Sequence, residues 1–243
     1  MKNTAIIIPT RLKAKRFPNK PLAKINNLPM IVHVLNRAKE SLVGEVLVAT
    51  PDEKIINAVK ENGGQAFLTK NEHLSGSDRV YEAYLENFKN KVDLVINLQG
   101  DMPNIKPDAI IKLEKLMRSN KCDIGTLASS IKNTNELTDT NIVKVQVNQN
   151  LKNDDFIEVK DFFRQAKDLN DKKIYHHIGI YAFTSAALTK YVKLSRSKLE
   201  MERNLEQMRA MENKMEIKVG ICDINPLSVD TQEDLIKIKK EME

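Results

Sequence analysis

Five cations stand within ten residues near the start of the chain: Arg11, Lys13, Lys15, Arg16 and Lys20. Pro18 and Pro21 stiffen this segment, and the apolar run Ala5–Ile8 leads into it. Fixed cations suit a phosphate-rich anion, because charge shifting toward a leaving phosphate group is stabilised by preorganised donors. The segment has no glycine-rich Walker pattern, so it is not that kind of phosphate cradle. An exposed, solvated basic loop is the alternative reading. A second segment, Gln99-Gly100-Asp101, closes the run Leu94–Leu98. A carboxylate at a strand end, after a glycine that permits close ligand approach, suits a Mg²⁺ ligand; an ordinary turn has the same composition. Ser75, Gly76, Ser77 and Arg79 offer hydroxyl, backbone and guanidinium donors at a loop-to-helix junction, where Ser75 or Ser77 can equally cap the helix. Asp230 could complete a metal site with Asp101, or serve the helix that follows it. His176 and His177 lie in an alternating strand pattern, so one points to each face.

Several function classes fall away on composition. Lys and Arg outnumber Asp and Glu by 39 to 33, a formal charge of +6, which points to nucleic acid or to small anions. Aromatic content is 5% with no Trp, leaving little for base-stacking platforms, so no nucleic-acid partner is expected. Cys122 and Cys222 lack metal or disulfide-framework spacing and fit a reducing compartment. Ala5–Ile8 is too short for a membrane span, and its flanks are unlike those of a signal peptide. A cytoplasmic protein without a membrane partner is expected. The 243 residues suit one compact domain, with room for a small appendage.

The elements that must position these groups alternate. Strand expectations are Ala5–Ile8, Glu45–Ala49, Gln65–Leu68 and Leu94–Leu98, with helices near Met30–Ser41, Glu53–Asn62 and Asp78–Phe88 between them. Val80, Tyr84 and Phe88 share a face of the last helix. Such alternation implies parallel strands, with ligands beyond their carboxyl ends. A helix near Pro107–Arg118, strands near Ile124–Ser130, Ile142–Val147 and Tyr175–Phe183, a helix over Lys198–Asn213 and a strand Glu216–Cys222 follow. Residues 148–173 carry no clear pattern. Thr231 with Asp234 reads as a capping box opening a final helix.

Over nearly its whole length the chain resembles the 3-deoxy-manno-octulosonate cytidylyltransferase (CMP-Kdo synthetase) family. The stretches that carry the likeness are IIIPTRLKAKRFPNKPL, LPMIVHVLNRA, VLVAT, HLSGSDR, INLQGDMP, NIVKV, HIGIYAF, LEMERNLEQMR and VDTQEDL, in family order and spacing. The resemblance implies an α/β fold of the nucleotide-diphospho-sugar transferase type: a Rossmann-like mixed, mostly parallel sheet flanked by helices, with a smaller dimerisation and sugar-binding portion. It implies a single nucleotidyltransferase domain, with a nucleotide-binding part of about 1–130 plus 215–243 and a sugar-binding part of about 131–214. It implies transfer of CMP from CTP to the anomeric hydroxyl of Kdo, release of pyrophosphate, a Mg²⁺ cofactor and a homodimer. On the same likeness Arg11, Lys20 and Asp101 would be catalytic. Arg11, Arg16, Lys20, Ser75, Arg79, Gln99 and Gly100 would hold the nucleotide. Asp101 and Asp230 would hold the metal, and His177, Tyr181, Glu206 and Gln207 would line the sugar pocket. The chain departs from the family pattern at Ala14, Asn19, Met102, Arg203 and across 148–173, where Arg164 is the candidate for the family's arginine. These departures keep a related acidic sugar, an amino variant of Kdo or a nonulosonate, as the alternative substrate. A non-catalytic basic binding protein is the alternative of another class.

Overall fold

The computed structural model describes residues 3–13, 16–224 and 226–242. Lys15 and the departure at Ala14 lie outside the described residues. By internal contacts the chain forms two compact units, Met1–Ile111 with Pro226–Glu243, and Lys112–Asn225.

In chain order the first elements are β1 (Thr4–Pro9), a 3₁₀ turn (Lys20–Leu22), β2 (Lys24–Ile25), β3 (Leu28–Pro29), α1 (Met30–Glu40), β4 (Glu45–Thr50) and α2 (Glu53–Glu61). Next come β5 (Ala66–Leu68), α3 (Gly76–Asn87), β6 (Leu94–Leu98), α4 (Pro107–Ser119) and β7 (Ile124–Ser129). A 3₁₀ turn (Thr134–Leu137), β8 (Lys144–Val147), β9 (Ile157–Phe163), β10 (Ile174–Thr184) and α5 (Ser185–Tyr191) follow. The chain closes with α6 (Lys198–Arg203), α7 (Met208–Glu212), β11 (Ile217–Ile221) and α8 (Gln232–Glu241).

The first unit is the expected alternating half. Its strands run in the order β5-β4-β1-β6, and every pairing is parallel. All six residues of β1 are buried. Ile6, Ile7 and Ile8 are wholly inaccessible, and each buried side chain of this size contributes about 1.5–3 kcal/mol. Such a continuous apolar run is what a parallel strand covered on both faces requires. Val80, Tyr84 and Phe88 are buried together, as their helical spacing predicts. The chain moves outward from β1 to β4 and β5, then returns to place β6 on the other side of β1. Strand order reverses at β1, and a ligand crevice opens beyond strand ends at such a place.

The second unit corrects the expectation of a mostly parallel sheet. Its strands follow β10-β7-β11-β9-β8, and β8 pairs back to β10 to close the ring. Only β7 with β11 is parallel; β10–β7, β11–β9, β8–β9 and β10–β8 are antiparallel. The α/β class holds, with a parallel half and a largely antiparallel half. Both β7 and β11, which the expected nucleotide-binding part would include, belong to the second unit.

Two further expectations change here. The unassigned stretch 148–173 contains β9, whose apolar positions are interrupted by Glu158, Lys160 and Asp161. The single helix Lys198–Asn213 is two short helices, broken at Asn204 in a left-handed conformation (φ 51°). The break is needed because Arg209 Nε and Nη2 donate to the two carboxylate oxygens of Glu200, each at 2.8 Å. Along a continuous helix nine residues rise about 13.5 Å, so that ion pair could not form.

Candidate active site

Beyond the carboxyl ends of β1 and β6 the first unit carries a cleft of about 400 Å³. Arg11, Arg16 and Lys20 line it from the segment after β1. Ser75 and Arg79 line it from the start of α3, and Gln99, Gly100 and Asp101 from the end of β6. Asp230, more than a hundred residues further on, completes the wall. The nine residues expected to hold nucleotide and metal are therefore brought together.

Lys20 is the hinge of the arrangement. Its Nζ lies 3.1 Å from Asp101 Oδ2 and 3.2 Å from Asp230 Oδ1. Burial alone would pull its pKa down, but the two carboxylates outweigh that and hold it above the ordinary 10.5. The ammonium is thus charged throughout the neutral range. Arg16 Nη2 adds a second cation to Asp230 at 2.9 Å. Local backbone places Lys20: Asn19 adopts the left-handed region (φ 59°), which Asn tolerates better than most residues. The departure at Asn19 is accommodated in this way. A backbone bond from Val229 N–H to the Asp101 carbonyl, 2.9 Å, brings the two aspartates side by side. Behind it, Val229 packs with Ile25, Met30 and Ile238 in a small core that ties α8 to α1.

The remaining positions have structural duties as well. Ser75 caps α3: its hydroxyl accepts from Asp78 N–H at 3.2 Å and donates to Asp78 Oδ2 at 2.9 Å. The Arg79 side chain is buried, with its guanidinium donating to Thr69 Oγ1 and, at 3.1 Å, to the Lys70 carbonyl. Burial, then the charge of Arg11, lowers its pKa from the usual value. Gln99 donates to Asn97 Oδ1 at 3.2 Å. A Cβ on Gly100 would stand 3.2 Å from the Pro9 carbonyl oxygen and 3.2 Å from Thr10 Cβ. Glycine there lets the ends of β1 and β6 lie close, a packing reason beside the ligand-approach one. Met102 is buried, so the departure at that position adds an apolar anchor behind Asp101.

Among the described residues no group of three or more His, Cys, Asp or Glu side chains could hold a metal ion. Mg²⁺ binds through one or two carboxylates and fills its other positions with phosphate oxygens and water. Asp101 and Asp230, converging beside a cation-lined cleft, fit that pattern.

His177, Tyr181, Glu206 and Gln207 all fall in the second unit. His177 is buried, with Nε2 2.9 Å from Thr126 Oγ1 and its ring 5.0 Å from that of Phe162. Burial, with the charge of His176 adding, pushes its pKa down to about 3, so the imidazole is neutral. His176 takes the other face and pairs with Glu136 through Nδ1 at 2.8 Å. Tyr181 stacks at a tilt on His177, centroids 5.4 Å apart, and burial followed by the Glu206 charge keeps its phenol protonated. Glu206 and Gln207 do not lie on a helix as expected but in the turn between α6 and α7. The Tyr191 hydroxyl holds that turn, donating to the Glu206 carbonyl at 2.8 Å. Arg203 is engaged by Asp161 Oδ1 at 2.5 Å and by the Phe162 carbonyl at 2.7 Å, so its charge is neutralised locally. Arg164 donates to the Thr140 carbonyl at 2.8 Å.

Sequence reasoning gave no role to His73 or Asp52. His73 lines the cleft, and its Nε2 is engaged by Glu82. It is quoted within HLSGSDR, but only its partner nine residues on reveals its function as a loop tie. Asp52 accepts the Leu12 N–H at 2.8 Å, a contact across 40 residues that no local spacing announces.

A parallel α/β unit with cations and paired carboxylates converging at its strand ends defines a nucleotidyltransferase, and the profile of the cytidylyltransferase family matches residues 5–217. The 3-deoxy-manno-octulosonate cytidylyltransferase of Bartonella tribocorum is 41% identical over 239 residues, covering 97% of this chain and 96% of its own. That of Rhodopseudomonas palustris is 43% identical over 234 residues, covering 96% and 94%. A CMP:2-keto-3-deoxy-manno-octonic acid synthetase solved with CTP superposes with a TM-score of 0.89 at 34% identity, covering 98% of both chains. The chain belongs to the 3-deoxy-manno-octulosonate cytidylyltransferase family.

Proposed function

We propose that this enzyme transfers CMP from CTP to the anomeric hydroxyl of 3-deoxy-manno-octulosonate, releasing pyrophosphate and supplying CMP-Kdo for lipopolysaccharide. The observation that carries the reading is Lys20 set between Asp101 and Asp230 in a cation-lined cleft, in a chain 41% identical to the named cytidylyltransferase over almost its full length. The cleft volume is of the size that holds a small ligand, about 300–1,000 Å³.

The sugar hydroxyl attacks the α-phosphorus in line, and negative charge moves toward the departing pyrophosphate. Lys20, held in place by Asp101 and Asp230, receives that charge with little reorganisation, and Arg11 and Arg16 add cations on the same wall. Ser75, Arg79, Gln99 and Gly100 enclose the nucleotide. Mg²⁺, held by Asp101 and Asp230, would neutralise phosphate charge and lower the cost of bringing an anionic sugar to an anionic nucleotide. His73 is the imidazole that lines the cleft among the described residues, and Glu82 occupies it, so it is not assigned as a proton acceptor.

For the sugar, neutral His177 and protonated Tyr181 offer hydrogen-bonding atoms to hydroxyls. Glu206 and Gln207 add an acceptor and an amide from a turn held by Tyr191. A homodimer working in the cytoplasm completes the proposal. No helix among the described residues is long and apolar enough to cross a membrane.

The test is incubation with each of the four nucleoside triphosphates, Mg²⁺ and a panel of acidic sugars, following pyrophosphate. Release with CTP and Kdo together supports the reading. Release with CTP and only a nonulosonate or the 8-amino sugar would replace the acceptor. No release with any pair would reject the reaction.

A further inference from the structure

Asp52 stands immediately before α2, where a carboxylate ordinarily accepts from the first N–H groups of the helix. Its side chain makes no such bond. It turns instead toward the end of β1, and its Oδ2 accepts the backbone N–H of Leu12 at 2.8 Å. Leu12 is fixed on its other side too, its carbonyl accepting the Asn19 N–H at 3.0 Å. A single residue therefore pins both arms of the cationic loop, with Arg11 before Leu12 and Lys20 after Asn19.

The anchor is itself held. Asp52 N–H donates to Thr50 Oγ1 at 3.2 Å, and its carbonyl accepts the Ile55 N–H at 3.0 Å. A carboxylate close to a site for a phosphate chain repels that chain. Asp52 offsets this by its attraction to the Arg79 guanidinium and, more directly, by its bond to the Leu12 N–H. A hydrogen bond from an amide to an ionised acceptor is among the stronger kinds.

We infer that Asp52 is a positioning residue for the nucleotide: through the Leu12 N–H it sets the loop conformation in which Arg11 and Lys20 meet the triphosphate. The inference rests on the CTP reading of the cleft. It concerns binding through the backbone of the loop, with no contact between Asp52 and the substrate.

The experiment measures CTP affinity by titration calorimetry for the wild type, D52A and D52N, with KM for both substrates and the melting temperature alongside. D52A should bind CTP about tenfold more weakly, the scale of one lost charge-assisted hydrogen bond. Its KM for the acidic sugar should stay within about twofold and its melting temperature within about 5 °C of the wild type's, since one loop bond and no helix cap is removed. D52N keeps an acceptor oxygen and should return to within about threefold of the wild type. If D52A does not fold, D52S, which is too short to reach Leu12, carries the same expectation. Wild-type CTP affinity in D52A would overturn the inference. So would equal losses for both substrates with a lowered melting temperature, or D52N no better than D52A. A wild type that binds no CTP would instead overturn the reading of the cleft, and this inference with it.

Discussion

One ammonium between two carboxylates makes the cleft sensitive to single atoms. D101N keeps shape and hydrogen-bonding capacity but removes a charge that Lys20 pairs with and that the proposed Mg²⁺ would use. Turnover should fall by on the order of 10²–10³, with the melting temperature little changed, because losing one preorganised electrostatic contact costs about that much. Near-normal rates at saturating Mg²⁺ would remove Asp101 from the site. K20A should lose activity on the same scale, and it leaves Asp101 without the ammonium while Arg16 still pairs with Asp230. Much of this was legible in the residues themselves, since cation spacing and a Gly-Asp strand end are local signals. The second duties were not. Arg79 reads as a free guanidinium in sequence, yet Thr69 and Lys70 already hold it. Asp52 and Leu12 meet only once β1 and β4 are paired, and no spacing rule spans 40 residues of chain.

Elements obey the same division between local and distant causes. The final helix was legible because Thr231 and Asp234 satisfy each other within one turn, and the structure shows that capping box. The break at Asn204 was not, because Lys198–Asn213 has helical composition throughout and the cause is a pair nine residues apart. Glu200 and Arg209 side chains are each only 4% exposed. R209A would leave Glu200 with the half-exposed Arg196 as its one remaining cation. The expected cost is about 3 kcal/mol, the low end for orphaning a buried ion, read as a lower urea midpoint. An unchanged midpoint would show that the pair does not hold the turn carrying Glu206 and Gln207. In β9, alternation is present but covered by charges, and its register with β8 shifts between Gln146 and Val147. A pattern of period two read without that irregularity loses phase.

At the scale of the molecule, stability should depend on pH in a way the burials dictate. Folded His177 protonates only near pH 3, whereas its ordinary value is 6.5. Between these values the unfolded chain binds the extra proton, so stability falls as pH drops below about 6.5. Glu200 acts in the same direction: burial opposes its charge, but Arg209 and Arg196 prevail and hold it below the ordinary 4.5. Its contribution is present above 4.5 and is lost as pH falls through the folded value. Lys20, raised above 10.5, contributes below that value and loses its contribution only at higher pH. Melting temperature should therefore be flat across the neutral range and decline on acidification, and H177N should decline less steeply between pH 4 and 6.5. Equal slopes would mean His177 does not titrate as its burial requires. The division into a parallel and an antiparallel half was only half legible. Hydrophobic alternation reports which face of a strand is covered, but strand direction depends on partners elsewhere in the chain.

Ring closure in the second unit has a consequence for self-association. With β8 joined to β10, each of its five strands pairs with two others of the unit, which leaves fewer backbone groups there to recruit a strand from another chain. Ring closure thus works against zippering strand to strand, the route most open to uncontrolled fibre growth. Association through that unit would then rest on side chains, and single substitutions on the outer faces should be able to undo it.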